Sequence, residues 1–190
     1  SLSLSLSLSL SLSLSLNADL PARGFSRPGE GGLGWAQSIC IIASAVHARR
    51  EKFAGGDTSQ APVPSLVVCP PTLVGHWAFE FDKFVGSQIR TVSYAGAPAE
   101  RARKRGEVVG DVVVITSYET LRNELEFLGT FNFCYCVLDE GHVIKNAKSK
   151  TTQAVKAVRA QHRLLLSGTP IQNNALELWS LFDFLMPGPT

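Results

Sequence analysis

One short stretch, Cys134 to His142, constrains the fold more than any other part of the sequence. It is an apolar run that ends in two adjacent carboxylates, Asp139 and Glu140, followed by a glycine and a histidine. The run is too short for a helix and rich in β-favouring residues, which is typical of a buried strand in a parallel sheet. In open α/β sheets the chemistry lies just beyond the carboxyl ends of the strands.

Two acids at such a strand end suit phosphoryl transfer to water. One carboxylate would hold Mg²⁺ through a water, and the other would orient or deprotonate the attacking water. A strand that runs into an acidic turn is the alternative interpretation of Asp-Glu taken alone. The motifs that follow it in the chain decide between the two.

The length and composition of the chain set broad limits. A chain of 190 residues can bury one core, so a single domain is expected. The net charge of +2 does not indicate a partner, and the four cysteines have neither metal-ligand nor disulfide-framework spacing. Core cysteines in a reducing compartment are therefore expected. No apolar run reaches about 18 residues, so no transmembrane helix and no membrane partner are predicted.

The first 30 residues differ from the rest of the chain. Residues 1–16 are a strict Ser-Leu repeat, and residues 17–30 are an aperiodic stretch that contains proline, glycine and arginine. Perfect low complexity argues against a folded element. We interpret residues 1–30 as a disordered tail and linker or as the translation of a dinucleotide repeat. Residues 31–190 form the predicted domain.

Strand and helix patterns alternate through this domain. Alternation of this kind predicts a three-layer α/β fold with a mostly parallel sheet. The predicted strands are 65–69, 91–94, 111–116, 133–138 and 163–167, and the predicted helices are 35–46, 72–84, 151–160 and 175–186. A basic run over 101–105 is interpreted as a solvated face rather than a DNA site.

Five motifs occur in one order along the domain. They are Pro70-Pro-Thr-Leu-Val-Gly-His-Trp77, Thr116-Ser-Tyr-Glu119, Leu138-Asp-Glu-Gly-His142, Leu166-Ser-Gly-Thr-Pro-Ile-Gln-Asn-Asn174 and Glu177-Leu-Trp-Ser-Leu-Phe-Asp-Phe-Leu185. Over about residues 31–188 the chain resembles the first RecA-like lobe of Snf2-family helicase-like DNA translocases. The motif Asp-Glu-Gly-His resembles that of the branch of the family that removes TATA-binding protein from promoters.

The resemblance implies roles for named residues. Asp139 would hold Mg²⁺, Glu140 would position the hydrolytic water, and His142 would link nucleotide state to lobe movement. The glycine loop implied to face the ATP phosphates contains Gly31, Gly32 and Gly34, and the implied coupling motif contains Ser167, Gly168 and Thr169. The residues implied to face double-stranded DNA are Thr72, His76, Thr116, Ser117, Tyr118 and Lys145. ATP and Mg²⁺ are the implied cofactors, TATA-binding protein the implied partner and the nucleus the implied location.

The sequence also departs from the family pattern at the glycine loop. The family has Gly-Leu-Gly-Lys-Thr-Leu-Gln-Ser-Ile, whereas this chain has Gly-Leu-Gly-Trp-Ala-Gln-Ser-Ile over 32–39. The phosphate-binding lysine and the Mg²⁺-binding hydroxyl are lost, and the apolar first strand expected before the loop is missing. The second lobe is absent as well, so we expect a fragment that does not hydrolyse ATP by itself.

Two functions therefore remain open. The chain is a fragment of a DNA-dependent ATPase that displaces TATA-binding protein, or it is a catalytically inactive module that binds DNA or a protein partner. The residue that separates the two hypotheses is Trp35, which stands where the phosphate-binding lysine is expected.

Overall fold

A computed structural model describes residues 32–167 and 175–186 of the chain. The interpretation of residues 1–30 and the three predicted site residues Gly31, Gly168 and Thr169 lie outside this part. No helix within it is both long enough and apolar enough to cross a membrane.

The described strands form one parallel sheet. They are β1 (Ser65–Cys69), β2 (Thr91–Tyr94), β3 (Val113–Ser117), β4 (Asn132–Leu138) and β5 (Arg159–Leu165), in the order β2-β3-β1-β4-β5. Every residue of β1 and β3 is buried, as expected for inner parallel strands covered on both faces. The predicted α/β architecture is confirmed, and no strand precedes the first helix within the described residues.

Helices cover both faces of the sheet. They are α1 (Gly32–Ala54), α2 (Val74–Val85), α3 (Pro98–Lys104), α4 (Tyr118–Asn123), α5 (Leu125–Leu128), α6 (Lys150–Ala157) and α7 (Ala175–Leu185). One core lies under α1 and α2, where Ile42, Trp77 and Phe81 pack on the sheet. The other core lies under α4 to α7 and includes Leu121 and Phe184. These two cores make the three layers.

Strand β5 begins four residues earlier than the apolar pattern predicts. Its first half contains Arg159, Gln161 and His162, all exposed, and its apolar residues come only near the end. The strand pairs with β4 on one side and has no second neighbour among the described residues. An edge position explains why polar residues are tolerated there and why the apolar pattern missed them.

A buried carboxylate joins α3 to the segment between α4 and α5. Glu124 accepts hydrogen bonds from Tyr94 Oη (3.0 Å), Arg101 Nε (3.0 Å) and Arg105 Nη2 (2.9 Å). The interpretation of residues 101–105 as a solvated face is therefore wrong for Arg101, whose side chain is 13% exposed, while Arg105 is half exposed. Their charges stabilise the carboxylate that the fold has buried.

This network makes part of the stability depend on pH. Burial by itself raises the pKa of Glu124, but the bonds from Arg105, Arg101 and Tyr94 hold it below its ordinary 4.5. Because the folded pKa is depressed, the stabilisation is present above pH 4.5 and is lost as the pH falls through the folded value.

We expect Glu124→Gln to lower the free energy of unfolding by about 1–2 kcal/mol at neutral pH, since Arg105 is half exposed and contributes little. Urea unfolding of the wild type and the variant should show this difference shrinking below pH 4.5. The exposed Glu126→Gln provides the matched control. A difference that stays constant with pH would contradict the role of the carboxylate charge.

Candidate functional site

The two predicted catalytic acids lie at the carboxyl edge of the sheet. Strand β4 ends at Leu138, and the backbone N–H of Asp139 still donates to Val68 of β1 (2.8 Å). Asp139 is therefore fixed between two inner strands, with only 6% of its surface exposed. The sequence-based placement of the acids is confirmed.

Three N–H groups donate to the Asp139 carboxylate. Oδ2 accepts the indole N–H of Trp77 (2.8 Å) and that of Trp35 (3.0 Å), and Oδ1 accepts the backbone N–H of Glu140 (2.9 Å). Burial raises the pKa of Asp139, while these hydrogen bonds act in the opposite direction without cancelling that rise. The carboxylate is thus a buried acceptor with three protein donors, two of them on Oδ2.

Trp35 reaches this site from the first turns of α1. Its ring centroid lies 5.6 Å from that of Trp77 and 6.4 Å from that of His76. The sequence showed Trp35 only as the residue that replaces the expected lysine. A buried indole needs an acceptor for its N–H, but the sequence does not indicate that this acceptor lies 104 residues away.

The residues present do not fit a magnesium ion at Asp139. Both indole N–H groups point their positive ends at the oxygen that a cation or its water shell would use, so donors and cation compete for it. Within the described residues, no three side chains of the metal-ligating types come together. The predicted Mg²⁺ role of Asp139, through a water, stays a prediction that these two donors disfavour.

Glu140 has the backbone conformation that non-glycine residues rarely adopt. Its φ and ψ are 56° and 50°, in the left-handed region, which costs about 1–3 kcal/mol when the surroundings impose it. Its side chain is partly exposed and lies 3.1 Å from Nδ1 of His142. The predicted water-positioning acid is therefore engaged with the predicted coupling histidine.

Gly141 connects this turn to the end of β5. Its N–H donates to the Leu166 carbonyl (2.8 Å), and a Cβ added there would lie 2.5 Å from Cγ of Leu165. The close approach of β5 explains why this motif has glycine after the two acids.

We expect Gly141→Ala to lower the free energy of unfolding by about 1–3 kcal/mol, because Leu165 must move to accommodate the methyl group. Urea unfolding should show partial recovery when Leu165→Val is added. Gly75→Ala is the matched control, since a Cβ there meets nothing within 4 Å. Equal stability of Gly141→Ala and the wild type would contradict the close contact.

The glycine loop and the coupling motif are described only in part. Gly32 is the first residue of α1, and a Cβ on Gly34 would lie 3.6 Å from Cδ2 of Leu166. Ser167 follows as an exposed residue. The structure thus brings the described parts of both motifs to the same edge as Asp139.

The predicted DNA-facing residues fall into two groups. Thr72 and His76 are exposed at the start of α2, and Lys145 is half-buried after the acidic motif. These positions follow β1 and β4 at the carboxyl edge of the sheet, where the prediction placed DNA. Their role stays a prediction.

The second group offers no free hydroxyl. Thr116 is buried and donates to a carbonyl of β2 (2.7 Å), Ser117 donates to Oγ1 of Thr120 (3.0 Å), and Tyr118 donates to the carbonyl of Asp139 (2.7 Å). All three hydroxyl protons thus have acceptors inside the fold, and the role of this loop in DNA binding stays a prediction.

Known proteins resemble this chain closely. The family model described as SNF2-related domain matches residues 29–190. The fission yeast (Schizosaccharomyces pombe) TATA-binding protein-associated factor mot1 is 54% identical over 153 residues, which is 80% of this chain and 8% of that protein. The human TATA-binding protein-associated factor 172 is 51% identical over 154 residues, with 80% and 8% covered.

A solved structure shares the fold. The Sulfolobus solfataricus SWI2/SNF2 ATPase core, determined in complex with double-stranded DNA, superposes with a TM-score of 0.65 at 28% identity and covers 83% of this chain and 30% of that one. The chain spans about 8% of the length of the two curated relatives. On the match over residues 29–190, the chain belongs to the SNF2-related domain family.

Proposed function

We propose that this chain is the first RecA-like lobe of a DNA-dependent ATPase of the nucleus. In the proposed function, ATP hydrolysis by the complete enzyme, with Mg²⁺ as cofactor, displaces TATA-binding protein from double-stranded DNA. In this proposal the chain by itself does not turn ATP over, because Trp35-Ala36 stands where the phosphate-binding Lys-Thr is expected.

The observation that carries the proposal is that separate motifs meet at the acidic motif, through hydrogen bonds of Asp139 and Gly141. Trp77, which follows β1, and Tyr118, which follows β3, both donate to Asp139. Two residues after Asp139, the N–H of Gly141 donates to the carbonyl of Leu166, which directly follows β5. Three motif loops therefore meet at this edge through direct hydrogen bonds, the arrangement that the proposed coupling of nucleotide chemistry to DNA movement would use.

The comparisons support the two partners to different degrees. One SWI2/SNF2 core with this fold was solved with double-stranded DNA. In this chain Thr72 and His76 are exposed after β1, at the carboxyl edge of the sheet. The relatives that are 50–54% identical have association with TATA-binding protein in their names. Displacement of that protein is the step that we add.

A second candidate function is a nucleotide-independent binding module. Trp35 favours it, because its indole N–H occupies the oxygen of Asp139 that a nucleotide-bound cation would approach. In this case the lobe binds DNA or a protein partner in one fixed conformation.

Grafting tests the proposed function. Residues 31–190 would replace the matching lobe of the fission yeast mot1 protein in two forms, as written and with Trp35 replaced by the dipeptide Lys-Thr. We expect the graft with Lys-Thr to release TATA-binding protein from labelled DNA only when ATP is added. The graft that keeps Trp35 should release none. Adding Glu140→Gln to the graft with Lys-Thr should abolish release without abolishing DNA binding.

Two results would overturn parts of the proposal. A graft with Lys-Thr that hydrolyses ATP on DNA but leaves TATA-binding protein in place would assign the lobe to another remodelling enzyme. DNA-stimulated phosphate release by the graft that keeps Trp35 would show that the lysine is dispensable. Both forms should first retain DNA binding in a gel-shift assay at fixed salt concentration, since phosphate contacts depend strongly on salt.

A further inference from the structure

The contact between Trp35 and Asp139 joins the start of α1 to the centre of the sheet. The indole Nε1 of Trp35 lies 3.0 Å from Oδ2 of Asp139, and the same oxygen accepts the indole of Trp77 at 2.8 Å. An in-plane carboxylate oxygen has two lone pairs, and these two donors use both of them.

The other oxygen has one donor. Oδ1 accepts the Glu140 N–H, so three of about four acceptor positions of the carboxylate are used, and Asp139 is only 6% exposed. A buried carboxylate with three N–H donors is a stable anchor, because each donor compensates part of the lost hydration. It presents no remaining in-plane site on Oδ2 to a cation.

The other contacts of the first described turns of α1 are apolar or local. The Trp35 ring lies 5.6 Å from that of Trp77 and 6.4 Å from that of His76, and Ser38 donates within its own helix to the Gly34 carbonyl (2.9 Å). The deeper contacts of α1 come one turn later, at Ile39 and Ile42, which are fully buried. The Trp35–Asp139 hydrogen bond is thus a long-range polar contact of the helix turn that follows the position of a phosphate-binding loop.

We propose that Asp139 in this chain is a structural anchor that holds α1 through Trp35, and that it is not available to a divalent cation. This deepens the candidate of a nucleotide-independent module and does not depend on which partner the lobe binds. Trp35 stands at the sequence position where the phosphate-binding lysine is expected. Its indole N–H donates to Oδ2 of Asp139, the oxygen that a cation or its water would otherwise approach.

A double-mutant cycle tests the anchor. The variants are Trp35→Phe, which keeps an aromatic ring but removes the N–H, Asp139→Leu, which keeps the shape but removes the acceptor, and both together. Urea unfolding of each gives the unfolding equilibrium constant. We expect Trp35→Phe to raise this constant at least about tenfold in the wild type and by no more than about twofold beside Asp139→Leu.

The cycle has a control and a reserve variant. Trp179→Phe makes the same chemical change at an indole that is 59% exposed and should alter the constant less than about threefold. If Asp139→Leu does not fold, Asp139→Asn replaces it, because an amide oxygen accepts a weaker hydrogen bond than a carboxylate. The coupling should then keep its sign with a smaller amplitude.

The same samples test the cation. About 10 mM Mg²⁺, at matched ionic strength, should leave the urea midpoint of the wild type where it is, because a ligand stabilises only a fold that binds it. Additive effects of Trp35→Phe and the Asp139 variant would overturn the anchor. A rise of the wild-type midpoint with Mg²⁺ that Asp139→Asn removes would overturn the exclusion of the cation. Neither result depends on DNA binding or on ATP turnover, so the inference and the proposed function can fail separately.

Discussion

Trp77→Ala is expected to lower the free energy of unfolding by about 3–5 kcal/mol, the largest stability effect of any single change considered for this chain. Trp77 is fully buried and its ring lies 6.1 Å from that of Phe81 and 5.6 Å from that of Trp35. Truncation removes this packing and also one of the donors that satisfy Asp139. Urea or thermal unfolding with circular dichroism measures the loss.

Two further variants separate packing from hydrogen bonding. Trp77→Phe keeps most of the ring volume and removes the N–H, so it should cost about 1–2 kcal/mol. Trp179→Ala truncates an exposed indole that contacts Lys156, and it should cost about 1 kcal/mol or less. If Trp77→Ala and Trp179→Ala are equally mild, Trp77 is not a core anchor, in contradiction to its full burial.

Replacing Trp35 by the dipeptide Lys-Thr is expected to raise the affinity for Mg²⁺-ATP at least about tenfold. A lysine contact to phosphate is a charge-assisted hydrogen bond of about 1.5–3 kcal/mol, and about 1.4 kcal/mol corresponds to a factor of ten. The replacement also removes the indole from Asp139. Fluorescence titration with a labelled ATP analogue measures the binding without requiring turnover.

The matched control replaces Trp35 by Ala-Thr. This dipeptide has the same length and also removes the indole, but it brings no positive charge to the phosphates. It should gain at most a small part of the affinity. If the Lys-Thr and Ala-Thr chains bind the nucleotide equally, removing the indole is sufficient and the lysine is not the missing element. If the unaltered chain already binds as tightly as the Lys-Thr form, Trp35 does not impair the site.

The sequence predicts the inner part of the sheet well. Strand β1 was placed at its observed bounds and β4 within one residue, because inner parallel strands are short apolar runs with abrupt polar ends. The location of Asp139 at the carboxyl edge follows from the end of β4. These features depend on local patterns that neighbouring residues establish by themselves.

Other features of the site depend on contacts that no local pattern reports. The acceptor of the Trp35 indole comes from a distant part of the chain, and the left-handed backbone of Glu140 depends on how Gly141 fits against Leu165. The hydroxyls of Thr116, Ser117 and Tyr118 looked available for phosphates in the sequence, but neighbouring backbone and side-chain acceptors use them. The residue types alone therefore do not predict the hydrogen-bond partners of these hydroxyls, because the partners are set by the tertiary fold.

Strand β5, one of the two edge strands among the described residues, bears on how copies of this lobe would meet at high concentration. Its leading half carries Arg159 and His162 in contact with water, and side chains of this kind repel a second copy approaching edge-on. Its trailing half, together with the next residue, contains Leu164, Leu165 and Leu166, each only partly shielded. These three leucines pack against the two cores, so the charge that opposes edge-on pairing comes from the leading half of β5 alone, and removing it would lower the solubility of the lobe.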